Sequence, residues 1–201
     1  MKIRKRGGAV AAGIVMSLVA CTRYSVQDDP SAKEAVLALK KLRAKTEIGM
    51  SYRDYSVALG DANFPVQLFL EGDKASLVPH FSDSLRKSLK WFEAAAELWA
   101  GQIEAGQPTG YCAEIGATLC AAYPELRTGV SGVDDHEVPA IIYELARQES
   151  WKRGEFELKN ADHAYKSEPL ERADDRVFKI DKNAEQLYLF REAKKSLLGH
   201  Y

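Results

Sequence analysis

Long apolar runs, histidine and cysteine are all scarce in this sequence, and each shortage closes off a class of function. The only long apolar run at the amino terminus is Gly7 to Ala20, 14 uncharged residues that include Gly7, Gly8 and Gly13. A permanent membrane span needs about 20 predominantly apolar residues. Only four histidines occur, His80, His136, His163 and His200, and none has a second histidine or cysteine three or four residues away. The three cysteines, Cys21, Cys112 and Cys120, form neither a C-x-x-C pair nor a haem-attachment C-x-x-C-H. Metal sites, dithiol redox centres and c-type haem therefore have no motif here, and the chain carries no cofactor motif. Strict alternation of apolar and polar residues is also missing, so nothing requires a sheet. No internal repeat is visible.

A basic excess is lacking as well. The chain carries 28 Lys and Arg against 29 Asp and Glu, a net charge of −1. Its 201 residues are 46% hydrophobic, which suits one globular domain. The basic residues are unevenly spread, since Lys2, Arg4, Lys5 and Arg6 cluster immediately before the uncharged stretch. A basic cluster followed by a short apolar run is the pattern of an export signal.

The residues that end the run specify the kind of export. Leu18-Val19-Ala20-Cys21 resembles the lipobox of bacterial lipoproteins, in which small residues precede an invariant cysteine. That resemblance implies a diacylglycerol on the Cys21 thiol, removal of residues 1–20, and acylation of the new terminal amine. Two or three acyl chains bury enough methylene groups, at about 0.8 kcal/mol each, for stable anchoring. Removing residues 1–20 takes away four of the 28 basic residues and none of the 29 acidic ones, leaving a net of about −5. Nucleic acid is then an unsuitable partner. Thr22 stands where inner-membrane lipoproteins carry a retaining aspartate, so the resemblance points to the outer membrane, facing the periplasm.

Lipidation of Cys21 also leaves an even pair, Cys112 and Cys120, in an oxidising compartment. The alternatives are a disulfide or two reduced, buried cysteines. Eight residues of continuous helix span about 12 Å, too far for a bridge whose Cα atoms lie within about 7 Å. A disulfide therefore requires the chain to turn, and Gly116 is where that turn is expected.

Beyond a tether over residues 21–30, the pattern over residues 31–201 is that of a single helical domain. Ser31-Ala32-Lys33-Glu34 matches the S-x-x-E capping box of a helix start. Leu39, Leu42, Thr46, Gly49, Tyr52, Ser56 and Leu59 follow at helical spacing and continue through Ala62, Val66 and Phe69. This predicts either one helix to about Gly72, kinked near Gly60 and Pro65, or two helices broken there. Leu85, Leu89, Phe92, Ala96, Trp99 and Ile103 form a heptad seam. The expected fold is all-α, a helical bundle built on a long antiparallel helical hairpin, with a disulfide-stapled loop. Residues 105–133 read as a long connection with a helical turn or two around Glu114 to Tyr123. A helix is expected to start near Asp135 to Pro139 and another to cover residues 182–198, whereas residues 155–181 give no clear pattern. The stretch from Leu39 to Leu70, centred on KTEIGMSYRDYS, is also similar to uncharacterised helical proteins exported by bacteria. Within it Tyr52, Arg53, Asp54 and Tyr55 either line a site or form a packed tyrosine with solvated neighbours.

Four strings resemble catalytic motifs, and three fail on chemistry. His136-Glu137-Val138-Pro139-Ala140 lacks the second histidine of a zinc protease. Gly129-Val130-Ser131-Gly132-Val133 lacks the last glycine of a nucleophile elbow, and Ser84-Leu85-Arg86-Lys87 lacks the companion elements of the serine enzymes that use S-x-x-K. Arg147-Gln148-Glu149-Ser150 resembles the R-Q-E-S segment of lytic transglycosylases, envelope enzymes that cleave peptidoglycan. The resemblance makes Glu149 the general acid and Ser150 its orienting partner, but no glycine and glutamine segment follows it. The acidic group Asp134, Asp135, His136 and Glu137 reads as a helix start rather than a metal site.

The function expected is therefore non-catalytic: a membrane-anchored envelope lipoprotein with a structural or protein-binding role toward an envelope protein or the cell wall. Peptidoglycan cleavage through Glu149 and small-ligand binding between the helices are the alternatives.

Overall fold

The computed structural model describes residues 24–113, 117–131 and 137–171. The fold is all-α in class, with a small sheet at one end. Helix α1 spans Pro30–Ile48, α2 Tyr52–Leu70, α3 Pro79–Ala105, α4 Ala117–Ala122 and α5 Tyr143–Lys166. Strands β1 (Thr109–Tyr111), β2 (Thr128–Ser131) and β3 (Glu137–Ile142) lie between α3 and α5.

Helix α1 begins one residue before the expected capping box. Asp29 is the cap, and its carboxylate accepts from the backbone N–H groups of Ser31 and Ala32 and from the Ser31 hydroxyl. Pro30 occupies the first helical position, where its fixed φ fits and no N–H is needed. The packed structure also begins earlier than Ser31. Val26 is buried in a 3-10 turn (Val26–Asp28), the Tyr24 hydroxyl donates to Asp29, and the Tyr165 hydroxyl of α5 donates to the Gln27 carbonyl.

The expected break near Gly60 and Pro65 lies instead at residues 49–51. Gly49 adopts φ +84°, and the Ser51 hydroxyl accepts from the Asp54 N–H to start α2. Gly60 and Pro65 both sit inside α2. The break resets the helical phase, so Gly49 and Ser56 are exposed rather than packed. The inward face of α2 is Tyr55, Ala58, Ala62, Val66 and Phe69.

The short connection turns α2 antiparallel to α1. Ring contacts between Phe69 and Phe81 at one end and Tyr52 and Trp99 at the other make α3 antiparallel to α2. In turn α5 runs antiparallel to α3, since Tyr165 meets Phe81 and Trp151 meets Trp99. Ion pairs Lys40–Asp162 (2.6 Å) and Arg43–Glu155 (2.8 Å) close the ring between α1 and α5. The result is an up-down-up-down arrangement of α1, α2, α3 and α5, in which no single long hairpin dominates. Its core contains Leu39, Leu42, Tyr55, Phe69, Phe81, Leu85, Leu89 and Phe92. The heptad seam of α3 therefore faces inward through Phe92, but Ile103 overruns the bundle and is exposed. Helices α3 and α5 pack tightly at Gly154, whose carbonyl accepts from the Ser88 hydroxyl and where a Cβ would lie 3.2 Å from the Phe92 ring.

The helix expected from about Asp135 to Pro139 starts only at Tyr143, and Glu137–Ile142 is the central strand of an antiparallel sheet ordered β1-β3-β2. Cys112 donates its N–H to the Pro139 carbonyl at 2.9 Å. Proline cannot donate back, and β1 ends there. The sheet packs on α3 and α5 through a second core of Leu98, Tyr123, Leu126, Ile141 and Tyr143. The expected disulfide is present: Cys112 and Cys120 are bridged with Cα atoms 5.6 Å apart, joining the end of β1 to α4. Helix α4 falls within the helical turn anticipated before Tyr123. The expected turn at Gly116 and the helix over residues 182–198 lie outside the described residues, as does Cys21.

Candidate functional site

Burial leaves one side of the bundle unusually apolar. On α2, Val57 (60% exposed), Phe64 (73%) and Leu68 (55%) recur at spacings that put them on one outward face, and Leu37 of α1 is 44% exposed. Between the two helices runs a groove of about 590 Å³ floored by Ala38, Leu42, Ala58, Ala62 and Pro65. Lys33, Lys41 and Lys45 of α1 and Asp61 of α2 border it. Small residues at Ala58 and Ala62 let the backbones approach, and the larger exposed side chains then stand proud on the flank. A run of apolar side chains rimmed by charge on a rigid surface is the usual chemistry of a protein contact. Sequence periodicity drew attention to the inward face of this region. The outward face is legible only once the break at Gly49 sets the phase of α2.

The segment Tyr52 to Tyr55 forms no open site. Tyr55 is the packed tyrosine: it is fully buried, its hydroxyl donates to the Phe92 carbonyl at 2.7 Å, and burial raises its pKa well above the ordinary value. Tyr52 is half-buried with its ring edge-on to Trp99 at 5.7 Å, and Arg53 and Asp54 are exposed. Trp99 and Trp151 meet beside Tyr55 and flank the Arg147 guanidinium, which lies 4.1 Å from the Trp99 ring centre and 5.4 Å from that of Trp151. Such cation-to-ring contacts, with the ion pair to Glu144, let an arginine be buried at modest cost. A cleft of about 510 Å³ lies beside it, lined by Trp99, Gln102, Gln107, Glu144 and Arg147 among others. The R-Q-E-S string contains Arg147, but the sequence does not signal that Trp99 of α3 and Tyr55 of α2 join it and Trp151 in this cluster.

Glu149 and Ser150 do not face that cleft. Glu149 is buried and pairs with Arg153 one turn on, Oε1 to Nε 3.1 Å, while Arg153 stacks on Trp91 at 4.8 Å. The Ser150 hydroxyl donates to the Ala146 carbonyl of its own helix at 2.8 Å rather than to Glu149. A general acid must reach a glycosidic oxygen, and Glu149 lines none of the clefts described.

The remaining motif residues are similarly accounted for. Lys87 pairs with Asp83 at 2.7 Å, and that hydrogen bond raises its pKa, the opposite of what activation of Ser84 requires. His80 is exposed on α3, and His163 Nδ1 lies 2.9 Å from the Pro169 carbonyl. Asp134, Asp135, His136 and His200 lie outside the described residues. Among the described residues no group of three or more His, Cys, Asp or Glu is placed to hold a metal ion. No helix among them is long and apolar enough to cross a membrane. No family model matches the chain, and no curated protein or solved structure matches it significantly.

Proposed function

We propose that this chain is a lipid-anchored protein of the bacterial envelope, held at Cys21 in the outer membrane and facing the periplasm, whose bundle binds another envelope protein without catalysing a reaction. The observation that carries the binding role is the outward face of α2 with its exposed Val57, Phe64 and Leu68. An amphipathic helix of the partner suits that face, since Val57, Phe64 and Leu68, at i, i+7 and i+11, form one apolar stripe along α2 against which a helix can pack. The Cys112–Cys120 bridge agrees with an oxidising compartment. Peptidoglycan cleavage is disfavoured by the burial of Glu149 against Arg153.

The test is a photo-crosslinking residue placed at position 64 in cells. A discrete crosslinked envelope protein, lost when Val57 and Leu68 are both replaced by Asp, is the expected result. Absence of any crosslink at positions 57, 64 and 68, with purified protein releasing muropeptides in a Glu149-dependent way, would overturn it.

A further inference from the structure

The packed fold begins almost at the anchor. Only Thr22 and Arg23 separate Cys21 from Tyr24, whose hydroxyl is already engaged with the buried cap Asp29. Three Cα-to-Cα steps reach at most about 11 Å. The headgroup layer of one leaflet is about 5 to 7 Å deep, so the tether places Tyr24 at the membrane surface itself. By contrast α3 has 27 residues and is about 40 Å long, far beyond what the tether spans.

Tyr24 marks one end of the bundle. Asp29 is held there by Lys74 at 2.9 Å, and Lys74 lies within a 3-10 turn (Asp73–Leu77) that leads into α3. The start of α3 and the end of α5 complete that end, through Phe81 and Tyr165. It exposes two leucines, Leu77 (61%) and Leu170, which border a cleft of about 310 Å³ with Pro79, His80, Phe81 and Ala164. Charges of both signs lie nearby, Asp73 and Lys74 in the same turn as Leu77 and Glu168 on the cleft wall. An apolar contact rather than net charge is what this surface offers to lipid.

We infer that the bundle stands end-on, with the Asp73–Leu77 turn resting in the headgroup layer and Leu77 and Leu170 contacting lipid. The α1–α2 connection, with Ile48 86% exposed, then points away into the periplasm, and the α2 face stands accessible along the side. This orientation rests on the anchor at Cys21 proposed above.

The experiment uses the full chain, exported and purified in detergent, then reconstituted in vesicles of phosphatidylethanolamine and phosphatidylglycerol. With Cys21 acylated and Cys112 bridged to Cys120, a new thiol is the single labelling site. A polarity-sensitive fluorophore is placed in Leu77→Cys, in Leu170→Cys and in Ile48→Cys. Quenching by a spin label on the lipid headgroup is expected to be several-fold stronger for positions 77 and 170 than for position 48, with little effect of added salt. Equal quenching at the three positions, or stronger quenching at 48, in protein whose Cys21 mass shows acylation, overturns the end-on orientation and leaves the anchor standing. An unmodified Cys21 overturns both. Circular dichroism of the labelled proteins confirms that each is folded, and the two independent leucine positions guard against a local effect of one substitution.

Discussion

Asp29 is the residue on which most local structure converges. It caps α1, binds Lys74 across to the turn before α3 and accepts from Tyr24, so one carboxylate ties three segments together. Burial acts to raise its pKa, but the hydrogen bonds from Ser31, Lys74 and Tyr24 outweigh it and hold the carboxyl well below the usual range. Asp162, where burial is likewise outweighed by Lys166 and Lys40, is also lowered. A lowered carboxylate contributes stability above its unfolded value, about 3.9, and loses it as pH falls further. Glu93 works in the opposite sense. Burial first, and then the charge of Glu97, raise it above 4.5, so protonation on mild acidification relieves a cost. Stability measured by denaturant titration should therefore rise slightly as mild acidification protonates Glu93 and fall once pH drops below about 4, the unfolded value of the lowered aspartates. Asp29→Ala should cost about 1 to 2 kcal/mol at neutral pH and flatten the acid limb. The glycines separate equally cleanly. A Cβ at Gly60 meets nothing within 4 Å, so Gly60→Ala should stabilise by about 1 kcal/mol. At Gly110 a Cβ would fall 2.4 Å from the Tyr143 hydroxyl, so Gly110→Ala should destabilise, and thermal melts of the two variants should shift in opposite directions.

At the scale of elements, the helices were legible where a seam was long and uninterrupted. Leu85, Leu89 and Phe92 announce α3, and the structure buries all three. The boundary between α1 and α2 was misplaced because Gly60 and Pro65 are the more conspicuous breakers, whereas the actual break uses Gly49 at positive φ and a Ser51 cap. Proline in the helix costs only the Asp61 carbonyl its partner, and Asp61 is exposed to water. The sheet was not legible, since β1 and β2 have three and four residues, too short for an alternating pattern to register. The same holds for the Arg147 cluster: Glu144, Arg147 and Trp151 share a face of α5, but Trp99 and Tyr55 reach them from α3 and α2. The disulfide was anticipated from parity and geometry, and it fastens this sheet to α4. Replacing Cys112 and Cys120 by Ser should lower stability by about 2 to 3 kcal/mol in the chain-entropy model. Chemical denaturation with and without reductant measures that difference, which should vanish in the double variant.

For the whole molecule, the proposed anchor at Cys21 stands three residues before Tyr24, where the packed part of the described bundle starts. In the proposed reading the exposed flank of α2, with Val57, Phe64 and Leu68, is the surface that binds, while Glu149 is paired with Arg153 and serves the packing of α5. Glu149→Gln should accordingly leave the binding role intact in the folded protein while removing the charge paired with Arg153, a loss visible as a lowered melting temperature. All of this depends on Cys21. Mass spectrometry of the amino-terminal peptide from protein isolated from bacterial membranes is the most direct measurement. The expected peptide begins at Cys21 and carries a diacylglycerol on sulfur. A mature chain that retains residues before Cys21, or begins there with an unmodified thiol, would contradict the proposed anchor.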